Sequence, residues 1–193
     1  MNVCLYGASS NEIDEKYITA TEVLGEALAK AGHGLVYGAG GCGLMGAAAR
    51  GMTRYGGHIV GVAPNFLNVD GILYDRCDEL VLTETMRQRK QIMEERSEAF
   101  IVTPGGIGTY EEFFEIYTLK QLGRHQKPIV MFNVDGFFDR LYDILQGLVK
   151  DGFMRETCLS LLSFATTPEE VLEQLKTVGE TVNITDTKFV GES

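Results

Sequence analysis

Short apolar, β-branched runs alternate along this chain with longer stretches in which apolar residues recur at every third or fourth position. Residues 2–6, 35–37, 58–63 and 99–102 have the length and composition of buried strands, and 128–132 and 161–165 continue the series. Between the first two runs, Tyr17, Ala20, Val23, Leu24, Ala27 and Leu28 make an apolar stripe at helical spacing. Further helices are predicted over about 45–55, 85–97, 113–122, 137–149 and 168–178, with Gly123 closing the third of these and Thr167 capping the last. The stretch 65–82 lacks periodicity and predicts a long loop with a short strand at its end, a kind of segment that more often carries function than idles. Residues 179–193 are polar and predict a loosely held tail, leaving 1–178 as one domain without repeat or linker.

Strands alternating with helices imply right-handed crossovers and an α/β, Rossmann-like open parallel sheet with helices on both faces. Ligands of such sheets sit beyond the carboxyl ends of the strands. Three loops should meet there: 7–10, 38–46 and 103–109.

The third loop organises the rest. Thr103-Pro104-Gly105-Gly106-Ile107-Gly108-Thr109-Tyr110-Glu111-Glu112 joins the run 99–102 to a helix. A strand, a glycine-rich turn and a helix start form an anion site, because the first N–H groups of the helix lack internal partners and sit at the positive end of its dipole. A phosphate is the natural guest, held by Gly105, Gly106, Ile107, Gly108 and Thr109. A second account is equally available from spacing. Thr109 and Glu112 are placed as a Thr-x-x-Glu capping box, and the glycines then serve only the turn.

Gly38-Ala39-Gly40-Gly41-Cys42-Gly43 matches the dinucleotide fingerprint literally. That fingerprint belongs on the first strand, with a carboxylate about twenty residues on, whereas here it follows the second and the next strand ends Val62-Ala63-Pro64. NAD is therefore rejected, and Gly41 is kept as part of a nucleotide-contacting loop. Met86, Arg89, Lys90 and Met93 share one side of a predicted helix, two cations with an apolar flank that suggests a pocket wall. Glu111 and Glu112 are adjacent, roughly 100° apart round a helix, so one should face the pocket and one turn away. Tyr110, Phe113, Phe114 and Tyr117 form an aromatic stripe, with Ile116, Leu119 and Leu122 on another side. A helix apolar over most of its surface is expected to be sandwiched in a homodimer. Ser9 could hydrogen-bond a phosphate or ribose, and His33, His58 and His125 are too dispersed for a metal or catalytic role.

At 193 residues, the net charge of −10 argues against a general nucleic-acid or membrane-surface binder. Cys4, Cys42, Cys77 and Cys158 are scattered, which fits reduced thiols rather than zinc or a disulfide framework. With no stretch of transmembrane length and no signal-like leader, a cytoplasmic protein is expected.

The run Pro-Gly-Gly-x-Gly-Thr-x-Glu-Glu, the preceding Met86-Arg87-Gln88-Arg89-Lys90 and the earlier Gly40-Gly41-Cys42-Gly43-Leu44-Met45-Gly46 together resemble the LOG ("LONELY GUY") family over about residues 3–178. Members are cytokinin riboside 5′-monophosphate phosphoribohydrolases. The resemblance implies a hydrolase that cleaves the N-glycosidic bond of a purine nucleoside 5′-monophosphate, AMP or an N6-modified AMP, without a cofactor or metal. It also implies Arg89 and Glu112 as the catalytic pair, with Lys90, Met86, Tyr110, Glu111 and Thr118 among the substrate contacts. Arg87 stands where many relatives have histidine. The turn Tyr6-Gly7-Ala8-Ser9-Ser10 replaces the Cys-Gly-Ser-Ser common among relatives.

Overall fold

The computed structural model describes residues 1–177. The predicted tail and the last residue of the predicted final helix lie outside the described residues. Seven strands and six α-helices follow one another as β1 (Asn2–Tyr6), α1 (Glu15–Lys30), β2 (Gly34–Tyr37), α2 (Gly43–Arg54), β3 (Ile59–Pro64), β4 (Glu79–Thr83), α3 (Met86–Glu95), β5 (Ala99–Val102), α4 (Ile107–Gln121), β6 (Ile129–Phe132), α5 (Asp139–Lys150), β7 (Ser163–Ala165) and α6 (Pro168–Leu175). The strands form one sheet in the order β4-β3-β2-β1-β5-β6-β7, and every pairing is parallel.

Both faces of the central strands are covered, which is why β2, β3, β5 and β6 are buried apolar runs rather than alternating, whereas the edge strand β4 is largely exposed. Val3 and Leu5 of β1 join Leu35, Tyr37, Ile101 and Phe132 in a core shared with Leu24 and Leu28 of α1, Met52 of α2 and Val171 of α6. Cys4 and Tyr6, one residue out of phase, join Val36, Val62, Phe100 and Met131 on the other face with Met93 of α3, Phe113 and Tyr117 of α4, and Leu141 of α5. Helices α1 and α2 touch backbone to backbone. A Cβ on Gly51 would stand 2.1 Å from Glu22 O, and one on Gly25 2.3 Å from Ala48 O.

One boundary differs in a way that matters. The helix expected over 113–122 starts six residues earlier, at Ile107, with Gly106 as its N-cap and no side chain capping it. Thr109 and Glu112 therefore lie inside the helix and not at its threshold. The capping-box account fails, and Glu112 must be satisfied elsewhere. True capping boxes occur at Thr85 with Gln88 on α3 and at Thr167 with Glu170 on α6.

Candidate active site

The strand order reverses between β1 and β5, so the loops after these neighbouring strands diverge and leave a crevice at the carboxyl edge of the sheet. Ala8 ties the loops around it together. Its N–H donates to Pro104 O at 3.0 Å, and its carbonyl accepts from the N–H groups of Leu44 (2.8 Å) and Met45 (3.3 Å). The segment 65–82 closes another side. Gly41 N–H donates to Ile72 O and Tyr74 N–H to Ala39 O, fixing Ala39 at φ 61°, in the left-handed region that a residue with a Cβ seldom takes. The half-open cleft between these loops measures about 640 Å³, within the range of small-molecule sites.

Arg89 and Glu112 meet in its wall. Arg89 descends from α3, which Met93 anchors in the core, and Glu112 from the second turn of α4. Nη1 of Arg89 donates to Glu112 Oε1 at 2.6 Å, and Nε donates to Val62 O at 3.1 Å. The two side chains are only 7% and 12% exposed, so this is a desolvated ion pair rather than a surface one. Burial pushes the Glu112 carboxyl above its ordinary range, and the guanidinium beside it holds part of that rise back.

Two glycine-rich helix starts face the crevice, and they differ in what their N–H groups do. At α2 they are already engaged. Gly43 N–H donates to the Asn11 side chain at 2.7 Å, and those of Leu44 and Met45 go to Ala8 O. At α4 the first N–H with an internal acceptor is that of Tyr110, bonded to Gly106 O at 3.2 Å. The preceding residues Gly106, Ile107, Gly108 and Thr109 line the cavity, and no acidic side chain occupies the first turn. Helix α4 thus offers the anion site that α2 does not.

Of the residues singled out from the sequence, Ser9, Met86, Arg89, Glu112 and the Gly106–Thr109 run are brought together around the cavity. Others stand outside its lining. Lys90 turns to the outer side of α4, where its Nζ lies 2.5 Å from Glu111 Oε1 and 2.6 Å from Glu115 Oε2. Thr118 is exposed, Tyr110 stacks on Phe114, and Gly105 and Gly41 sit behind the cavity residues of their loops. Leu67, Ile72 and Leu73 are wall residues that spacing did not reveal. Their signal was the long aperiodic stretch 65–82 itself, read as a functional loop without any residue in it being singled out.

Comparisons with known proteins bear on this site. The model of a family described as possible lysine decarboxylase matches residues 45–175, which include Arg89 and Glu112. The cytokinin riboside 5′-monophosphate phosphoribohydrolase of Mycobacterium tuberculosis is 44% identical over 160 residues, 83% of this chain and 85% of that protein. A probable enzyme of the same name from Oryza sativa subsp. japonica is 37% identical over 174 residues, covering 90% of this chain and 71% of the relative. The chain belongs to the LOG family. Among solved structures, the molybdenum cofactor binding protein of Rippkaea orientalis superposes with a TM-score of 0.68 at 20% identity, over 91% of this chain and 93% of that one. The molybdenum cofactor carrier protein of Chlamydomonas reinhardtii gives the same score and identity over 90% and 96%. Those likenesses show that the LOG chain shares their Rossmann-like fold.

Because Glu112 is held by one cation in a desolvated wall, its titration should depend on that cation. In ¹³C-labelled protein, the Glu112 carboxyl is expected to titrate above the ordinary carboxylate range, and in Arg89→Ala higher still. The same substitution leaves a buried charge without its partner and should lower unfolding free energy by about 3–5 kcal/mol. An unshifted Glu112 in both proteins contradicts this picture of the pair.

Proposed function

We propose that this protein hydrolyses the N-glycosidic bond of a purine ribonucleoside 5′-monophosphate, releasing the free base and ribose 5-phosphate. The observation that carries the reading is a buried Arg89–Glu112 pair in the same cavity as the unoccupied N–H groups that begin α4. The names of the curated relatives, which act on cytokinin riboside 5′-monophosphates, support it.

The residues suit the chemistry. The 5′-phosphate binds the N–H groups of Gly106 to Thr109, favoured by the helix dipole. Met45, Leu67, Ile72 and Leu73 supply apolar wall against which a base and an apolar N6 substituent can bury. As the bond from C1′ to the base nitrogen breaks, its electron pair leaves with the base and positive charge grows on the sugar. Ionised Glu112 stabilises that charge and orients water, which adds to C1′, and a proton goes to the base. A guanidinium is a poor proton donor, so Arg89 is cast as the group that keeps Glu112 ionised and aimed and not as the source of the proton.

Lysine decarboxylation does not fit the same cavity. Schiff-base chemistry needs a lysine at the cofactor. None of the described lining residues is a lysine, and Lys90 is engaged by two carboxylates outside it. A module that only binds a nucleotide would leave the desolvated pair without a task. No described helix is long and apolar enough to cross a membrane. A cytoplasmic location is part of the proposal, and the four unpaired cysteines suit it. A homodimer is part of the proposal. Much of the apolar surface of α4 is consumed by its own subunit, but Phe114 and Ile107 remain 41% and 87% exposed. Sedimentation equilibrium that gives only a monomer removes that part.

The purified protein, incubated separately with AMP and with N6-isopentenyl-AMP, is expected to release free base and ribose 5-phosphate, resolved by chromatography. The apolar wall predicts faster cleavage of the N6-modified nucleotide. On the acid side, kcat/KM should fall with an apparent pKa above the ordinary carboxylate range, since catalysis needs the ionised form of a carboxyl that burial pushes up. Binding of both nucleotides with cleavage of neither overturns the reading.

A further inference from the structure

We propose that Gly38 is a positioning residue, the absence of whose side chain provides the space in which the Arg89 guanidinium lies against Glu112. The inference rests on the reading of Arg89 and Glu112 as the reaction centre. It assigns a role to the first glycine of a run whose match to the dinucleotide fingerprint was set aside on its position in the sequence.

A Cβ built on Gly38 would stand 2.0 Å from Arg89 Nη2, 3.2 Å from its Cζ and 3.1 Å from Met45 Sδ. The first distance is far inside van der Waals contact. Arg89 has little room to yield, because Nε is committed to Val62 O and Nη1 to Glu112. Nor can the backbone of residue 38 move away readily. Tyr37, its neighbour, is paired in register with Leu5 on one side and Gly61 on the other, at the end of a fully buried strand.

Conformation does not account for this glycine. Gly43 adopts a positive φ, as do Gly32, Gly56, Gly71, Gly123, Gly136 and Gly152, but Gly38 is not among them. Its backbone is one that any L-residue can take. The direction of the missing Cβ also speaks against simple room for substrate, since the atoms it would meet belong to Arg89 and Met45. Met45 presents a thioether that can swing aside, whereas the guanidinium is pinned. A methyl group at position 38 must therefore push Nη2 out of its place and loosen the bond from Nη1 to Glu112.

The test is a double-mutant cycle of Gly38→Ala with Arg89→Lys, read in two ways. Lysine keeps the charge and lacks the forked Nη2. In the wild-type background Gly38→Ala should lower kcat by about 10²-fold with little change in KM, the loss expected from misplacing a catalytic group by about an ångström. In the Arg89→Lys background the same change should cost less than about threefold. The second readout is independent of turnover: the ¹³C titration of Glu112 should move upward in Gly38→Ala, towards its position in Arg89→Ala. Should Gly38→Ala fail to fold, the double variant must recover folding, because the clashing atom is gone. Equal losses in both backgrounds, an unmoved Glu112 titration, or a double variant no better folded than the single one each overturn the proposal. A wild-type protein that cleaves no nucleotide, yet shows the shifted titration, would leave the positioning role standing and sink only the proposed reaction.

Discussion

Two opposite charges taken out of water at the end of a parallel sheet set the terms for the rest of this site. Removing a guanidinium and a carboxylate from solvent is expensive, and their attraction offsets it only when the geometry is good and the remaining hydrogen-bonding groups are met. Arg89 and Glu112 meet at 2.6 Å, and Val62 O takes the guanidinium Nε. The pair also joins α3 to α4, two helices packed on the same face of the sheet, so each helix fixes the aim of the other's functional group. A carboxylate held this way has lost part of its hydration and keeps a single cation. It is poised to respond to positive charge appearing beside it.

The fold brings the second requirement to the same place. At the reversal between β1 and β5, Ala8 uses its N–H on the loop before α4 and its carbonyl on the start of α2. This second bond explains why two similar glycine-rich turns play different parts. Helix α2 spends its first N–H groups on Asn11 and Ala8, and becomes a strut that supports the cavity. Helix α4, begun by Gly106 without a capping side chain, keeps its own for a ligand. The free helix start and a buried carboxylate lie within the first two turns of one helix, so in the proposed reaction phosphate and reacting sugar would share one rigid element.

Much of this could be read from the residues alone. Apolar runs bounded by glycine and proline located the strands, and their alternation with helical stripes implied the parallel sheet and the meeting of three loops. What spacing could not decide was whether Glu112 caps the helix, because Thr109-x-x-Glu112 is also a valid capping box. The decision came from a residue 23 positions away in sequence and 2.6 Å away in space. Lys90 carries the complementary lesson. It shares a helix side with Arg89 in sequence, but the carboxylates of Glu111 and Glu115 on the outer face of α4 draw it off the cavity. Leu67, Ile72 and Leu73 were invisible to periodicity because they belong to a loop held by backbone bonds to Ala39 and Gly41, which no side-chain pattern encodes. Family resemblance supplied what spacing lacked, the pairing of Arg89 with Glu112.

The central claim is that Glu112 acts on the bond that breaks and does not merely hold the substrate or the fold. Rapid-quench single-turnover cleavage, run across enzyme concentrations for the wild type and for Glu112→Gln, separates binding from chemistry. The isosteric amide keeps the shape of the side chain and removes its charge. Half-saturation within a few-fold of the wild type is expected, with a cleavage step slower by about 10²–10⁴-fold. A Glu112→Gln protein that cleaves bound nucleotide at the wild-type rate would contradict it.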